Sequence, residues 1–157
     1  MMAAVEVADK IDTIYALATP SGRSAIAVIR ITGTSIPKKL LDELVLQKSS
    51  RGCFVRKIKL DDYSDKCLVL SFPAPESYTG EHLLEIHCHG NPVIVADMFA
   101  LLDKFGIEEA SPGEFSKRAY LNKKIGLDEA ESIMLGIQAQ NKNDLVSLEN
   151  FRTGDLG

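Results

Sequence analysis

The sequence predicts an α+β domain in which helices pack on a mixed or antiparallel sheet of about five strands. Strand-like and helix-like segments occur without the regular alternation that a parallel doubly wound fold requires. The 157 residues suffice for one ordinary domain with a true core. An apolar content of 45% with 25% charged residues is typical of globular proteins. We therefore expect one core, with an appendage at most.

Five segments have the apolar and β-branched composition of strands, and turn residues separate them. They comprise residues 14–19, 25–32, 53–60, 66–72 and 82–89. The first two are joined by a loop around Pro20-Ser21-Gly22, which is longer than a tight hairpin. The third and fourth flank a polar turn, so we expect them to pair as a hairpin.

Four helices are predicted from apolar residues at helical spacing. They cover residues 36–46 and 93–104, a segment from Pro112, and a segment from Leu127 whose apolar stripe reaches Leu148. Ser111 and Glu114 have the spacing of a capping box, which indicates the start at Pro112. The last helix has no obvious packing partner, so it looks like the first element of a larger helical part.

The fifth strand alternates strictly between apolar and ionisable side chains. Its ionisable face carries Glu85, His87 and His89. Three such residues cannot all lie in an apolar core without cost, so this face is either solvated or a site. A metal site is disfavoured because the three residues crowd onto one strand and no fourth ligand is identifiable.

Two further features point to an anionic ligand. Arg30 lies in an apolar strand whose neighbouring residues must face the other way. Lys117, Arg118, Lys123 and Lys124 follow the capped helix start. Lysine and arginine are also typical of an ordinary helix C-terminus, which explains each of these four residues when it is taken alone. The combination of an arginine, a strand carboxylate and these lysines favours a binding site.

Several classes of function are excluded by composition and motifs. The net charge of -4 argues against a self-standing nucleic-acid binder. The chain contains neither a P-loop nor a dinucleotide-binding glycine motif, and its three cysteines lack zinc or dithiol spacing. No apolar run would span a membrane, and residues 1–10 resemble no targeting segment, so we expect a cytoplasmic protein.

The order and spacing of a set of motifs between Asp12 and Ala139 resemble the N-terminal domain of the MnmE (TrmE) family of tRNA-modification GTPases. The motifs are Asp12-Thr13-Ile14 with Ala18-Thr19-Pro20-Ser21-Gly22-Arg23, Ile29-Arg30-Ile31-Thr32-Gly33, Phe72-Pro73-Ala74-Pro75 with Ser77-Tyr78-Thr79-Gly80-Glu81, Leu84-Glu85-Ile86-His87-Cys88-His89-Gly90, and Pro112-Gly113-Glu114-Phe115-Ser116 with Arg118-Ala119 and Leu121-Asn122.

The resemblance implies a function in modifying the wobble uridine of tRNA together with the flavoprotein MnmG. It implies that residues 1–120 form a folate-binding and homodimerising domain, similar in fold to the folate-binding part of the glycine cleavage T-protein. Residues 121–157 would be the start of a truncated helical domain. The implied cofactor is a reduced folate, either 5-formyl- or 5,10-methylene-tetrahydrofolate, and tRNA would be bound through the full complex.

Position by position, the family's folate contacts correspond to Arg30, Glu85 and Lys124. Glu85 would accept the paired N–H donors of the pterin, while Arg30 and Lys124 would contact the anionic tail or ring carbonyls. The resemblance implies neither a catalytic residue nor a metal ligand here. Without a P-loop, this chain alone is not expected to hydrolyse GTP.

Two alternatives to a binding module remain open from the sequence. One is a complete folate-dependent one-carbon transferase, although no general acid or base stands out among the polar residues. The other is a dimerisation fragment with a vestigial site, which would dimerise without binding folate.

Overall fold

The computed structural model describes residues 12–153, apart from the side chains of Gln138 and residues 150–153. Residues 1–11 and 154–157, the outer ends of the two predicted domains, lie outside it. The described chain forms two compact units. The first comprises residues 12–77 and 81–110, and the second comprises residues 78–80 and 111–153. The predicted division at residue 120 stays a prediction.

The first unit is built on a six-stranded sheet. Its strands are β1 (Ile14–Leu17), β2 (Ile26–Gly33), β3 (Gly52–Lys59), β4 (Ser64–Phe72), β5 (His82–His89) and β6 (Glu108–Glu109). The order across the sheet is β3-β4-β5-β2-β1-β6, with β1 and β6 parallel and every other pair antiparallel. The mixed sheet confirms the α+β prediction, while the two-residue β6 was too short to predict.

Two helices complete the first unit: α1 (Lys38–Glu43) and α2 (Pro92–Lys104). Asn91 caps α2 because its side chain accepts a hydrogen bond from the Val93 N–H at 2.8 Å. Buried side chains from both helices join one hydrophobic core with one face of the sheet. The strand members of this core include Ile29, Ile86 and Val69, which neighbour one another across three strands.

The opposite face of the sheet carries the alternate side chains of each strand, and it is accessible over part of its area, although Thr32 and Leu83 on that face are buried. In β5 the residues between the buried Leu84, Ile86 and Cys88 are only partly buried or exposed, as the sequence predicted. The predicted hairpin of β3 and β4 is confirmed by their antiparallel register. We call this second side, which carries Arg30, Glu85, His87 and His89, the open face.

The second unit contains α3 (Glu114–Leu121), α4 (Leu127–Gln138) and α5 (Lys142–Thr153). The predicted start of α3 at Pro112 is wrong, because Gly113 has a φ of 78° and the helix begins after it. Half of the capping box is present, since the Glu114 carboxylate accepts a hydrogen bond from the Ser111 N–H at 3.1 Å. The N-cap residue of the observed helix is Gly113, which has no side chain to cap it.

The single helix predicted from Leu127 to Leu148 is also wrong. Ala139 has an extended backbone with ψ of 133°, and it ends α4. The Asn141 side chain then accepts a hydrogen bond from the Asp144 N–H at 3.0 Å and starts a new turn. Apolar spacing alone could not detect this break, because apolar residues occur at helical spacing on both sides of it. None of the described helices is both long and apolar enough to cross a membrane.

Gly90 follows β5 and lies close to the backbone of Ser24, so a substitution at Gly90 measures how tightly this end of the sheet is packed. The Ser24 N–H donates to the Gly90 carbonyl at 2.9 Å, and a Cβ at Gly90 would overlap the Ser24 backbone. We expect Gly90→Ala to lower the free energy of unfolding by about 2 kcal/mol, because backbone atoms cannot move aside freely. Urea unfolding monitored by circular dichroism measures this.

Gly136→Ala is the matched control for that experiment. A Cβ at Gly136 would meet only the end of the Leu148 side chain at 3.8 Å, and alanine is favoured in helices. We expect unchanged or slightly increased stability. An equal loss in both variants would contradict the packing argument for Gly90.

Candidate functional site

Arg30 and Glu85 meet at the centre of the open face. The antiparallel register pairs these two residues directly across β2 and β5. The Arg30 Nε donates to the Glu85 Oε2 at 2.7 Å. The Arg30 side chain is 46% exposed and that of Glu85 only 15%. The structure therefore brings together two of the three residues that the sequence assigned to a binding site.

The second oxygen of Glu85 is held by its neighbour on the strand. The His87 Nε2 lies 3.0 Å from the Glu85 Oε1. Burial alone would raise the pKa of Glu85, but the hydrogen bonds from His87 and Arg30 and the Arg30 charge outweigh this effect and lower that pKa. The Glu85 carboxylate is consequently ionised at neutral pH and acts only as an acceptor.

A second carboxylate and imidazole pair lies on β4 and β5. Asp65 is buried, and its Oδ1 is 2.6 Å from the His89 Nδ1. The His89 backbone N–H and the Cys67 thiol both donate to the Asp65 Oδ2. Burial would raise the pKa of Asp65, but these hydrogen bonds lower it overall. The bonds to Asp65 link the beginning of β4 to the end of β5.

A groove of about 370 Å³ crosses the open face beside these pairs. Its apolar walls include Ile26, Val55 and Leu68, which are 55%, 53% and 43% exposed. His87 and His89 also line it, together with Lys66. The groove therefore combines apolar area with a few polar groups, as small-molecule sites do, while Arg30 and Glu85 lie outside its lining, next to His87.

Lys124 belongs to the second unit, where it follows α3. Its backbone N–H donates to the Ala119 carbonyl at 2.9 Å. Gly80 has a φ of 77°, and a Cβ there would lie 3.2 Å from the Lys124 Cγ, so the lysine stem packs against this glycine. The Asn122 side chain donates to the Thr79 carbonyl at 2.8 Å and holds the same segment. The role of Lys124 in a site stays a prediction.

The remaining cations of the predicted cluster have different surroundings. Arg118 donates to the Glu114 Oε2 at 3.0 Å within α3, an ion pair one helical turn apart. Arg118 therefore has a structural partner. Lys117 lines an apolar groove of about 540 Å³ between α3 and α4, whose walls include Tyr120, Leu127 and Met134.

Sequence reasoning missed the contacts of His87 and Asp65. The alternation in β5 put His87 on the ionisable face, but no pattern showed that it would bind Glu85. Asp65 was assigned to a polar turn, although it starts β4 and is buried. The distance of 24 residues between Asp65 and His89 left no local signal for their hydrogen bond.

Asp65 should make the stability of the first unit sensitive to acid. Its pKa is lower in the folded chain than the unfolded value of about 3.9, so the ionised form stabilises the fold above that pH. This contribution is lost as the pH falls through the folded-state pKa. We expect Asp65→Asn to cost about 1–3 kcal/mol at neutral pH, and the difference from the original chain to shrink below about pH 4.

Urea unfolding at neutral pH and at about pH 3.5 measures this difference. Asp62→Asn is the control, because Asp62 is an exposed residue in the same turn region. We expect that exchange to change stability by less than about 0.5 kcal/mol. An Asp65→Asn chain with full stability at neutral pH would show that the buried hydrogen bonds contribute nothing.

The chain is similar to known proteins. Residues 13–124 match the family model described as the N-terminus of the GTP-binding protein TrmE. Curated proteins named tRNA modification GTPase MnmE are similar as well: those of Opitutus terrae, Mycoplasmoides gallisepticum and Thermotoga petrophila are 40%, 42% and 39% identical.

The alignments with these three relatives cover 93%, 87% and 91% of this chain. They cover only 33%, 31% and 33% of the relatives, so the chain spans about a third of the length of the curated relatives it matches. The family model itself extends over more than half of the 157 residues. By this match the chain belongs to the family of TrmE N-terminal domains.

Proposed function

We propose that the chain binds a reduced folate, as the one-carbon donor site of a protein that modifies the wobble uridine of tRNA. The observation that carries the proposal is the Glu85 carboxylate, which is mostly buried, ionised and held on both oxygens beside a groove. Arg30, Glu85 and Lys124 are the proposed contacts. Either 5-formyl- or 5,10-methylene-tetrahydrofolate is the proposed ligand.

The acceptor capacity of Glu85 supports a pterin as the ligand. An ionised carboxylate has about four lone-pair positions. Within the described part of the chain, His87 uses one position on Oε1 and Arg30 uses one on Oε2. One position therefore remains on each oxygen, which is the number needed by the ring N–H and the exocyclic amine at a pterin edge.

The cations support an anionic tail. Arg30 uses its Nε for Glu85, and its two terminal nitrogens have no hydrogen-bond partner among the described residues. A guanidinium in that state can still donate two bonds to a folate carboxylate or a ring carbonyl. Lys124, whose stem is packed against Gly80, is the proposed second cation.

The wider function is proposed from the names of the relatives and from the sequence resemblance. In it, residues 1–120 form the folate-binding and dimerisation domain, and residues 121–157 begin a helical domain. The module acts in the cytoplasm as a homodimer with an MnmG-like flavoprotein and reaches tRNA through that complex. The GTPase activity in the relatives' names is a statement about those longer proteins.

Calorimetric titration with 5-formyltetrahydrofolate tests the proposed site. We expect saturable binding to the original chain and at least about tenfold weaker binding after Glu85→Gln, because the amide presents donors where the pterin requires acceptors. Arg30→Lys keeps the charge but loses the planar fork, so it should also weaken binding. Lys124→Gln should do the same through loss of charge.

Lys57→Gln is the matched control, since Lys57 is an exposed cation on the edge strand β3. Its affinity should equal that of the original chain within about twofold. A folded chain that gives no heat with the folate, or variants that all bind equally, would refute the proposed site.

Sedimentation equilibrium tests the proposed homodimer. The chain has a mass of 17.2 kDa, and we expect twice this mass at micromolar concentration. Exposed apolar side chains outside the groove, such as Val45 and Val93, support self-association. A single-chain mass at every concentration tested would exclude a dimer formed by these residues alone.

A further inference from the structure

We propose that His87 is a positioning residue that keeps the Glu85 carboxylate turned toward the pterin edge of the ligand. The inference rests on the proposed function and deepens it. The role assigned to His87 is exerted through Glu85, and it is separate from the place of His87 in the groove wall. What His87 controls is the orientation of the group that reads the ligand's paired N–H donors.

The hydrogen bond has a defined direction. Glu85 is ionised because the bonds and charge around it lower its pKa, so its oxygens can only accept. The His87 Nε2, 3.0 Å from the Glu85 Oε1, must therefore carry the proton and donate it. The imidazole of His87 is therefore protonated at Nε2. That nitrogen has no other hydrogen-bond partner among the described residues.

The competing arrangement is a complete Arg30–Glu85 pair. Guanidinium groups prefer to bind a carboxylate with two parallel hydrogen bonds, one to each oxygen. Here only the Arg30 Nε bonds Glu85, at Oε2, and the bond from His87 to Oε1 holds the carboxylate in an orientation that leaves the second arginine bond unmade. Without His87, the carboxylate can rotate until Arg30 bonds both oxygens, and the positions that the ligand needs would then be used.

His87 lies where its side chain contributes nothing to the hydrophobic core, so a role in packing does not account for it. Its side chain is 25% exposed and lies on the open face, opposite Val28 of β2 and Leu68 of β4. The hydrophobic core is on the other face. Exchanging His87 should consequently leave the core intact while it changes the orientation of Glu85.

The test compares His87→Leu with His87→Gln by calorimetric titration with 5-formyltetrahydrofolate. We expect His87→Leu to bind about tenfold more weakly, because nothing then opposes the two-bond contact with Arg30. His87→Gln retains an N–H donor and should recover the affinity to within about threefold. Urea unfolding of both variants checks that the fold is kept.

His82→Asn is the matched control. His82 starts the same strand but lies outside the groove, and its Nδ1 accepts a hydrogen bond from the Ala74 N–H at 3.1 Å, which an asparagine oxygen can also accept. This variant should bind the folate like the original chain. Equal losses in His87→Leu and His82→Asn would indicate general damage to β5 and overturn the positioning role.

A second ligand separates orientation of Glu85 from other effects of the exchange. In the 2-desamino-2-methyl analogue of the same folate, one of the two donors is missing. If His87 acts through Glu85 on this edge, the original chain binds the analogue more weakly than the folate. The exchange His87→Leu then lowers the affinity for the analogue by less than about threefold. Additive losses would overturn the inference.

The outcomes distinguish the inference from the proposed function. A folded original chain that does not bind the folate refutes the proposed function, and the inference falls with it. If the original chain binds and Glu85→Gln does not, the site stands. Unchanged affinity of His87→Leu would then overturn the positioning role alone, as would failure of His87→Gln to recover affinity.

Discussion

The register of β2 against β5 is the constraint on which the candidate site depends. Ile29 and Ile86 face each other in this register and are almost completely buried. A slip of one residue would move these side chains to the open face and bury Arg30 with Glu85 instead. The burial of apolar side chains on one face therefore also determines which charged groups meet on the other.

This coupling explains why much of the first unit could be predicted from the sequence. Apolar and β-branched composition between turn residues located the first five strands, and alternation with a period of two located the ionisable face of β5. It also showed that Arg30 lies opposite its apolar neighbours. The order of strands was beyond local patterns, because β2 and β5 are adjacent in the sheet although two strands separate them in the chain.

The second unit was less predictable because its helix ends depend on single backbone torsions. The left-handed conformation at Gly113 delays the start of α3, and the extended conformation at Ala139 divides the last helical pattern. Apolar spacing reports which side chains share a face, but it does not report a local change of backbone direction. Lys124 follows such a point, since Lys123 before it has a φ of 59°.

The two pairs of an imidazole and a carboxylate contain the same chemical groups, but they differ in how many lone-pair positions of the carboxylate remain free. Asp65 is 7% exposed and accepts three hydrogen bonds, from the His89 ring, the His89 backbone and the Cys67 thiol. Three of its four lone-pair positions are therefore used internally. Glu85 is more accessible and accepts two, one on each oxygen. Of these two carboxylates, only Glu85 can still receive a donor on both oxygens, and this spare capacity is the reason why Glu85 rather than Asp65 is the proposed ligand contact.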